Sequence, residues 1–546
     1  MSDATAERSS VLSSSAVMAA GTTFSRASGY LRALLLAAAL GNAVHADAFT
    51  IANTIPNMLY ILLAGGVFNA VLVPQLVRAL KVDADGGAAY TNRVMTLAVL
   101  FLAGVTLVLV VAAPLVVDLL TSSRFPPDVR DSTVVFARLC LPQVFFYGMF
   151  VLVGQVLNAR GRFGPMMWAP IANNVIAVGT LIVYLVVFGA ARGPERVGGY
   201  TGSQELLLGV GSTLGIAVQL LVLLPYLRAT GFRFSPRFDF RGTGLGHTLR
   251  LGTWTVLFVV VNQIAYTVVV RLASSGTAGG NPEGTGNTVY SSTFLIAMVP
   301  HSIITVSLAT AILPRLSAAA ADGHLSDLAD TVAGTLRTAL AVIVPFGALL
   351  PLLAPDLARI LFGYGAAAAT VENFAPTLAL FGPALVFFTM HYLMLRGFYA
   401  LEQTRGVFIN QCAVATVNIA VAVCLVALTD AAATAPSLVV AYGAAYLVGA
   451  VLSYVTLGRR VGGLPGATLL RFGIRLVAVT AISTGVATLV MVGLREVVAD
   501  ESKLGALAVV AAAGAADVVC FVALARVFGL SEVTAVLSTV LRRAGR

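Results

Sequence analysis

Charge is scarce in this chain. Only 11% of its 546 residues are charged, against about 25% in a soluble globular domain, which excludes an ordinary soluble fold. Lysine is almost missing: Lys81 and Lys503 are the only two, so 32 of the 34 basic residues are arginine. With the alanine and glycine load, this reads as genome composition bias. Cysteine is limited to Cys140, Cys412, Cys424 and Cys520, all in apolar runs and at no metal-ligand spacing; they read as small buried hydrophobes. Walker A and nucleophile-elbow motifs are absent too. That argues against an ATP-driven pump and against recognisable hydrolase chemistry. No catalytic residue, metal ligand or cofactor is therefore expected.

What is abundant is apolar sequence: 58% of residues are hydrophobic and the mean hydropathy is +0.92. The expected fold class is an all-α integral membrane protein. A span needs about 20 mostly apolar residues. Fourteen stretches qualify: 11–41, 48–79, 94–118, 132–157, 165–190, 205–229, 248–272, 288–314, 331–354, 373–399, 407–428, 436–457, 470–494 and 503–528. None alternates as a barrel strand would. The polar start MSDATAERSS lacks the pattern of a cleavable signal peptide.

Basic residues in short loops orient the spans. With the N-terminus inside, 23 basic residues fall inside and 8 outside, while Arg26, Arg32 and Arg138 belong to neither group. Both termini are thus expected in the cytoplasm. The formal charge of +10 then reflects cytoplasmic loops, and nucleic acid is not an expected partner.

An internal repeat shows in two pairs of motifs. Ile55-Pro56-Asn57 leads to Val73-Pro74-Gln75-Leu76, and Val299-Pro300-His301 leads to Leu313-Pro314-Arg315-Leu316. Residues 157–163 and 398–405 form the second pair. Spans 1–6 and 7–12 therefore read as two six-helix copies related about the membrane normal, as in transporters with parallel repeats. The expected division is a cytoplasmic tail at 1–10, a first lobe at 11–230, a basic cytoplasmic linker at 231–246, a second lobe at 247–458, two further spans within 459–530, and a cytoplasmic tail at 531–546.

Arg26 and Arg32 stand in the first span, where each costs roughly 2.5–3.5 kcal/mol on insertion scales. Such cations usually face a bundle interior or a watery cavity, so they point to an anionic ligand. Six residues separate them by about 240° and 9 Å, which allows both to line a broad wall. Ser25 adds a hydroxyl beside them, and Gly29 permits close helix approach or a bend. Pro56 frees a backbone carbonyl in span 2. Asn57 either satisfies such groups or meets polar substrate. Pro300 and His301 repeat the pattern in span 8, His301 as a relay or as a hydrogen-bonded core residue. The polar pairs Asn173-Asn174 and Asn262-Gln263 read as interhelical hydrogen-bonding residues. Asp517, in span 14, carries a coupling proton or pairs with a buried arginine. Asp47, at the outer mouth, is a coupling residue or simply solvated.

Thr23-Phe24-Ser25-Arg26-Ala27-Ser28-Gly29-Tyr30-Leu31-Arg32 resembles the TxxSRxxGxxR signature of MurJ (MviN) lipid II flippases. Ala46-Asp47-Ala48-Phe49, Ile55-Pro56-Asn57, Val73-Pro74, the 157–163 element and Phe398-Tyr399-Ala400 match in order. The resemblance implies the MOP exporter fold, with two six-helix lobes around a cationic cavity and spans 13 and 14 as a groove for the lipid tail. It also exposes departures. Tyr60 and Ile61 stand where many members carry two arginines, Gly65-Gly66 where an acid usually precedes the glycine, and Phe294-Leu295 where the family has an Asp-Arg pair. Arg26 and Arg32 would then carry more of the anion binding, unless Arg138 or Arg271 substitutes. The kinase-like extension of some members has no counterpart before Arg546.

The implied function is a flippase moving undecaprenyl-diphosphate-linked lipid II from the inner to the outer leaflet of the bacterial cytoplasmic membrane. Arg26, Arg32, Ser25 and Asn57 would bind the diphosphate headgroup, and Gly29, Pro56 and Pro300 would let helices bend. Membrane potential or an ion gradient would drive it, and cell-wall synthesis proteins would be its partners. Alternatives are a flippase for another polyprenyl-linked glycan, a cation-coupled multidrug exporter, and a non-transporting scaffold. The exporter usually needs a cavity acid, and the first twelve spans offer none near mid-membrane.

Overall fold

A computed structural model describes residues 21, 24–62, 76, 79, 85, 87–239, 245–281, 283–497 and 502–544. Thr23, Gly65-Gly66 and Val73-Pro74 lie outside these residues. The described chain is helical, with no strand among the described residues, and it forms two compact units. Twelve described helical stretches are long and apolar enough to cross a membrane. The first two expected spans fall on two further helices, one over residues 24–40 and one over Val44–Leu62.

Unit 1 comprises residues 1–280 with 365–367. Its helices are α1 (residues 24–40), α2 (Val44–Leu62), α3 (Ala88–Val111), α4 (Ala113–Leu120), α5 (Pro127–Cys140), α6 (Gln143–Ala159), α7 (Gly164–Val187), α8 (Gly202–Leu221), α9 (Leu223–Ala229) and α10 (Leu245–Thr277). Three expected spans are each split in two. The breaks fall beside Pro114, Pro142 and Pro225, because proline lacks the N–H its helix needs and crowds the preceding turn. Pro56, by contrast, sits inside an uninterrupted α2. One core gathers Phe49, Phe136, Val144, Leu181 and Val270. A second gathers Leu102, Phe150, Leu152 and Leu223. Leu107, Val111, Leu115 and Val186 stay exposed, as lipid-facing residues do when the surrounding solvent is hydrocarbon.

The units do not follow the expected lobe boundary at 231–246. The seventh span, α10, packs with unit 1. Gln263 donates to the Met58 carbonyl of α2, and Thr277 donates to Asp47 at 2.7 Å. The described part of the linker is pinned as well. Asn92 and Thr96 of α3 accept from the backbone of Ser235 and Arg237, and Arg93 pairs with Asp239. That arginine holds the Asp239 carboxyl below its ordinary range.

Unit 2 comprises residues 281–364 and 368–546. Its helices are α11 (Asn287–Ala297), a π turn (His301–Thr305), α12 (Val306–Ala321), α13 (Leu325–Phe362), α14 (Phe374–Ala400), α15 (Thr404–Leu428), α16 (Thr434–Val461), α17 (Gly466–Val497), α18 (Lys503–Val527) and α19 (Ser531–Ala544). Span 8 breaks at Pro300, whose missing donor gives way to the π turn. The 38 residues of α13 run about 57 Å, longer than the bilayer core. Its contact with α14 is backbone to backbone: a Cβ on Gly382 would lie 2.2 Å from the Gly347 carbonyl oxygen. Residues 531–544, expected as part of a tail, form α19 against α13 and α18.

Candidate functional site

Helix α1 is held to α7 by the Asn174 side chain and by Phe24 stacking on Trp168. The Asn174 amide donates to the Ser25 carbonyl and to the Ser28 hydroxyl, both at 2.9 Å. Ser28 in turn donates to the Ser25 carbonyl. Gly29 lies at this seam, and a Cβ there would meet only the Asn174 amide, at 3.7 Å. That is ordinary van der Waals distance, so the crossing itself does not require glycine.

The clamp turns Arg32 into unit 1. Arg32 lines a crevice with Phe49 of α2, Ala177, Thr180 and Leu181 of α7, and Leu208 and Ser212 of α8. Its walls are apolar except for the Thr180 and Ser212 hydroxyls. The guanidinium acts electrostatically on Cys140 and Tyr147. Tyr147 packs on Tyr60, ring centroids 4.7 Å apart. An aromatic pair thus stands where an arginine was expected after Pro56.

Arg26 takes a different face. It is exposed on α1, and its side chain hydrogen-bonds Tyr30 one turn along. Arg26 and Arg32 are therefore not brought together. Neither belongs to an ion pair among the described residues. Asn57 is exposed on α2. The neighbouring Asn53 accepts from Gln143 of α6 at 3.2 Å, so Asn53 joins α2 to another helix.

Asp47 is fully buried and not solvated as one expectation had it. Its carboxylate accepts from Thr277. Around it the N-terminal end of α2 is capped by the 193–201 segment. The His45 ring stacks on Tyr200 at 3.6 Å and bonds the Gly198 carbonyl, while Tyr200 donates to the His45 carbonyl. This cap was missed from sequence, because its partners lie about 150 residues away in an apparently featureless loop.

The two substitute cations differ. Arg271 donates to the Asp118 and Leu119 carbonyls at the end of α4, a capping role. Arg138 is exposed in the last turn of α5. In unit 2, His301 is buried in the π turn. It hydrogen-bonds Thr389 at 2.9 Å and packs between Phe388 and Tyr392. Phe294 packs with Tyr290, Phe381 and Tyr442, and Tyr442 links them to Phe388 beside His301. Asp517 is buried, and its partners are the Ser483 and Thr484 hydroxyls of α17. Among the described residues it pairs with no arginine. No metal-binding group of His, Cys, Asp or Glu occurs among the described residues.

Comparison with known proteins follows this geometry. The family model described as "Lipid II flippase MurJ" matches residues 36–509. A probable lipid II flippase MurJ from Rhizobium tropici is 27% identical over 389 residues, 70% of each chain. One from Vibrio cholerae is 26% identical, covering 72% of this chain and 74% of its own. Among solved structures, a lipid II flippase MurJ in an inward closed conformation superposes with TM-score 0.72 at 15% identity. It covers 93% of this chain and 98% of its own. An inward-facing multidrug resistance MATE family transporter of the MOP superfamily gives 0.63 at 16% identity, covering 79% and 94%. These two likenesses establish the fold. The expected all-α membrane class and transporter-type architecture stand, and the match over most of the length decides the rest: the chain belongs to the lipid II flippase MurJ family.

Proposed function

We propose that this protein is a transporter, not an enzyme, and that it moves lipid II from the inner to the outer leaflet of the bacterial cytoplasmic membrane by alternating access. The observation that carries the reading is Arg32. A cation in an apolar helix, with two hydroxyls beside it and no acidic partner among the described residues, is poised for an anion. A diphosphate would accept charge-assisted hydrogen bonds from it, and the exposed Arg26 would supply a second contact. Both termini are cytoplasmic in this reading, as the 23-to-8 distribution of basic residues suggests. The membrane potential, worth about 2.3 kcal/mol per charge per 100 mV, drives the cycle. Proteins of cell-wall synthesis would consume the product on the outer face.

Depletion of the protein in a strain without a redundant flippase, followed by outer-leaflet labelling of lipid II, tests this. Outward lipid II should fall while total lipid II rises. Unchanged outward lipid II would overturn the assignment. Accumulation of a different polyprenyl-linked glycan would reassign the substrate, a reading favoured by Tyr60, Ile61 and Leu295 standing where the family carries arginines.

A further inference from the structure

The C-terminal end of unit 2 carries exposed arginines that the Arg26 and Arg32 site does not include. Helix α18 ends at Val527, and Gly529 takes φ +68°. The Leu530 amide closes back on the Ala525 carbonyl at 2.8 Å. This left-handed cap turns the chain sharply. The next helix, α19, has Val533, Val536, Leu537 and Val540 at helical spacing, an amphipathic pattern. Leu530 and Val533 join a core with Phe472, Leu476 and Phe521. Glu532 pairs with Arg337 of α13 at 2.7 Å, which ties α19 to the bundle and neutralises its only acid.

Arginines collect at the helix ends that share this side of unit 2, and Arg475 comes within 4.0 Å of a Cβ built on Gly529. Arg459 and Arg460 end α16, Arg471 and Arg475 lie near the start of α17, and Arg526 ends α18. All five are exposed, and none joins an ion pair among the described residues. Exposed apolar side chains alternate with them: Leu470 beside Arg471, Ile474 beside Arg475, and Val527 and Phe528 after Arg526. A polynucleotide or an acidic peptide has no use for those apolar neighbours. A phospholipid has both parts, a phosphate for the guanidinium fork and acyl chains for the leucine, isoleucine and valine. Amphipathic helices with basic groups lie in that boundary, and juxtamembrane clusters of arginine bind anionic leaflets.

We propose that the ends of α16, α17 and α18, with α19, form a docking surface for anionic phospholipid headgroups of the cytoplasmic leaflet. The leaflet assignment rests on the orientation proposed above, whereas the lipid contact does not.

The full chain in nanodiscs provides the test. One set contains phosphatidylcholine alone, the other an equal mixture with phosphatidylglycerol. The mixed discs should raise the unfolding temperature, and native mass spectrometry should find phosphatidylglycerol retained on the protein. The triple variant R471Q/R475Q/R526Q should lose both effects while unfolding at the same temperature as the parent in phosphatidylcholine. The triple Arg→Lys variant should keep most of the thermal shift. The outer-loop pair R124Q/R192Q should change nothing. Equal lipid retention by the glutamine variant, or no difference between the two disc types, would overturn the proposal. Should the glutamine triple not fold, the three single variants must each reduce retention, and unchanged retention in all three would be equally decisive. Both discs carry the same lipid in each leaflet, so the outcome is independent of orientation and of flipping.

Discussion

Thr277 donates its hydroxyl hydrogen to the Asp47 carboxylate at 2.7 Å across 230 residues of sequence, with both side chains buried. This bond fastens the end of α10 to the first turn of α2. A hydrogen bond to a charged group is worth about 1.5–3 kcal/mol, and a buried acceptor left unpaired costs at least that. Thr277→Val should therefore lower stability by about 2 kcal/mol. Hydrogen exchange should increase at the C-terminal turns of α10 and not in α13. Asp47→Asn, which keeps an acceptor, should cost less than Asp47→Ala. Equal costs would mean that packing, not the bond, holds the two helices.

Arg32 and Arg26 should differ in kind. Arg32 is half-buried at a crevice lined by α2, α7 and α8, whereas Arg26 is exposed and held by Tyr30. Losing one charge-assisted bond to a diphosphate costs about 1.5–3 kcal/mol, roughly tenfold to a hundredfold in affinity. Arg32→Gln should weaken lipid II binding by that factor and abolish complementation of a depleted strain. Arg32→Lys should restore only part, because the fork geometry is lost. Arg26→Gln should weaken binding less. A neutral Arg32→Gln would remove the basis of the proposed diphosphate contact.

How much of this was legible in the sequence follows from what hydropathy can report. It reads local burial in lipid, and the apolar runs and the Pro300 break were visible because each is a property of neighbouring residues. Lateral partners were not. Nothing near residue 263 announces that Gln263 meets Met58, so α10 was expected with the second lobe. Asp47 looked like a solvated acid at a helix mouth because its partner is so distant. The last residues looked like a tail because α19 is too short and too mixed to score as a span, although its helical spacing was there to be read. For the site, the residue types and their helix were legible. The rotation of about 240° between Arg26 and Arg32 was legible as well, but which of the two faces unit 1 came from the packing of α1 on α7 through Asn174 and Trp168.

Glycine substitutions separate required contacts from permitted ones. A Cβ on Gly382 would lie 2.2 Å from the Gly347 carbonyl oxygen, and one on Gly347 would lie 2.6 Å from the Gly382 carbonyl oxygen. Backbone cannot swing aside as a side chain does, so Gly382→Ala should force α13 and α14 apart at a cost of about 1–3 kcal/mol. Gly29→Ala meets only the Asn174 amide at 3.7 Å and should be near neutral in thermal unfolding. A disabling Gly29→Ala with unchanged stability would instead assign Gly29 to movement of α1 during transport.

The linker pair has a defined response to pH. Arg93 holds the Asp239 carboxyl below its ordinary range, so the carboxylate is the form that docks the linker on α3. A depressed acid contributes fully above its unfolded pKa and loses that contribution as pH falls through the folded value. Docking should therefore be constant from about pH 5 upward and loosen only in stronger acid, below the usual carboxylate range near 3.9. Proteolysis within residues 233–239 reports this directly. Cleavage should be slow and pH-independent at neutral pH, and faster in Asp239→Asn at every pH. Equal cleavage of the variant would show that the Asn92 and Thr96 bonds suffice.

Asp517 offers the sharpest choice among the acids. Its partners are the Ser483 and Thr484 hydroxyls on α17, so a neutral amide of the same shape can keep both contacts, since hydroxyls accept as readily as they donate. Asp517→Asn should leave folding and lipid II transport close to the parent. Asp517→Leu should destabilise by about 1–3 kcal/mol through the Thr484 hydroxyl left unpaired, since Ser483 keeps the Thr480 carbonyl. A proton carrier would behave otherwise, since an amide cannot titrate. If Asp517→Asn stops transport while the purified protein still binds lipid II and unfolds at the parental temperature, the carboxyl carries the coupling proton and the hydroxyls are its relay.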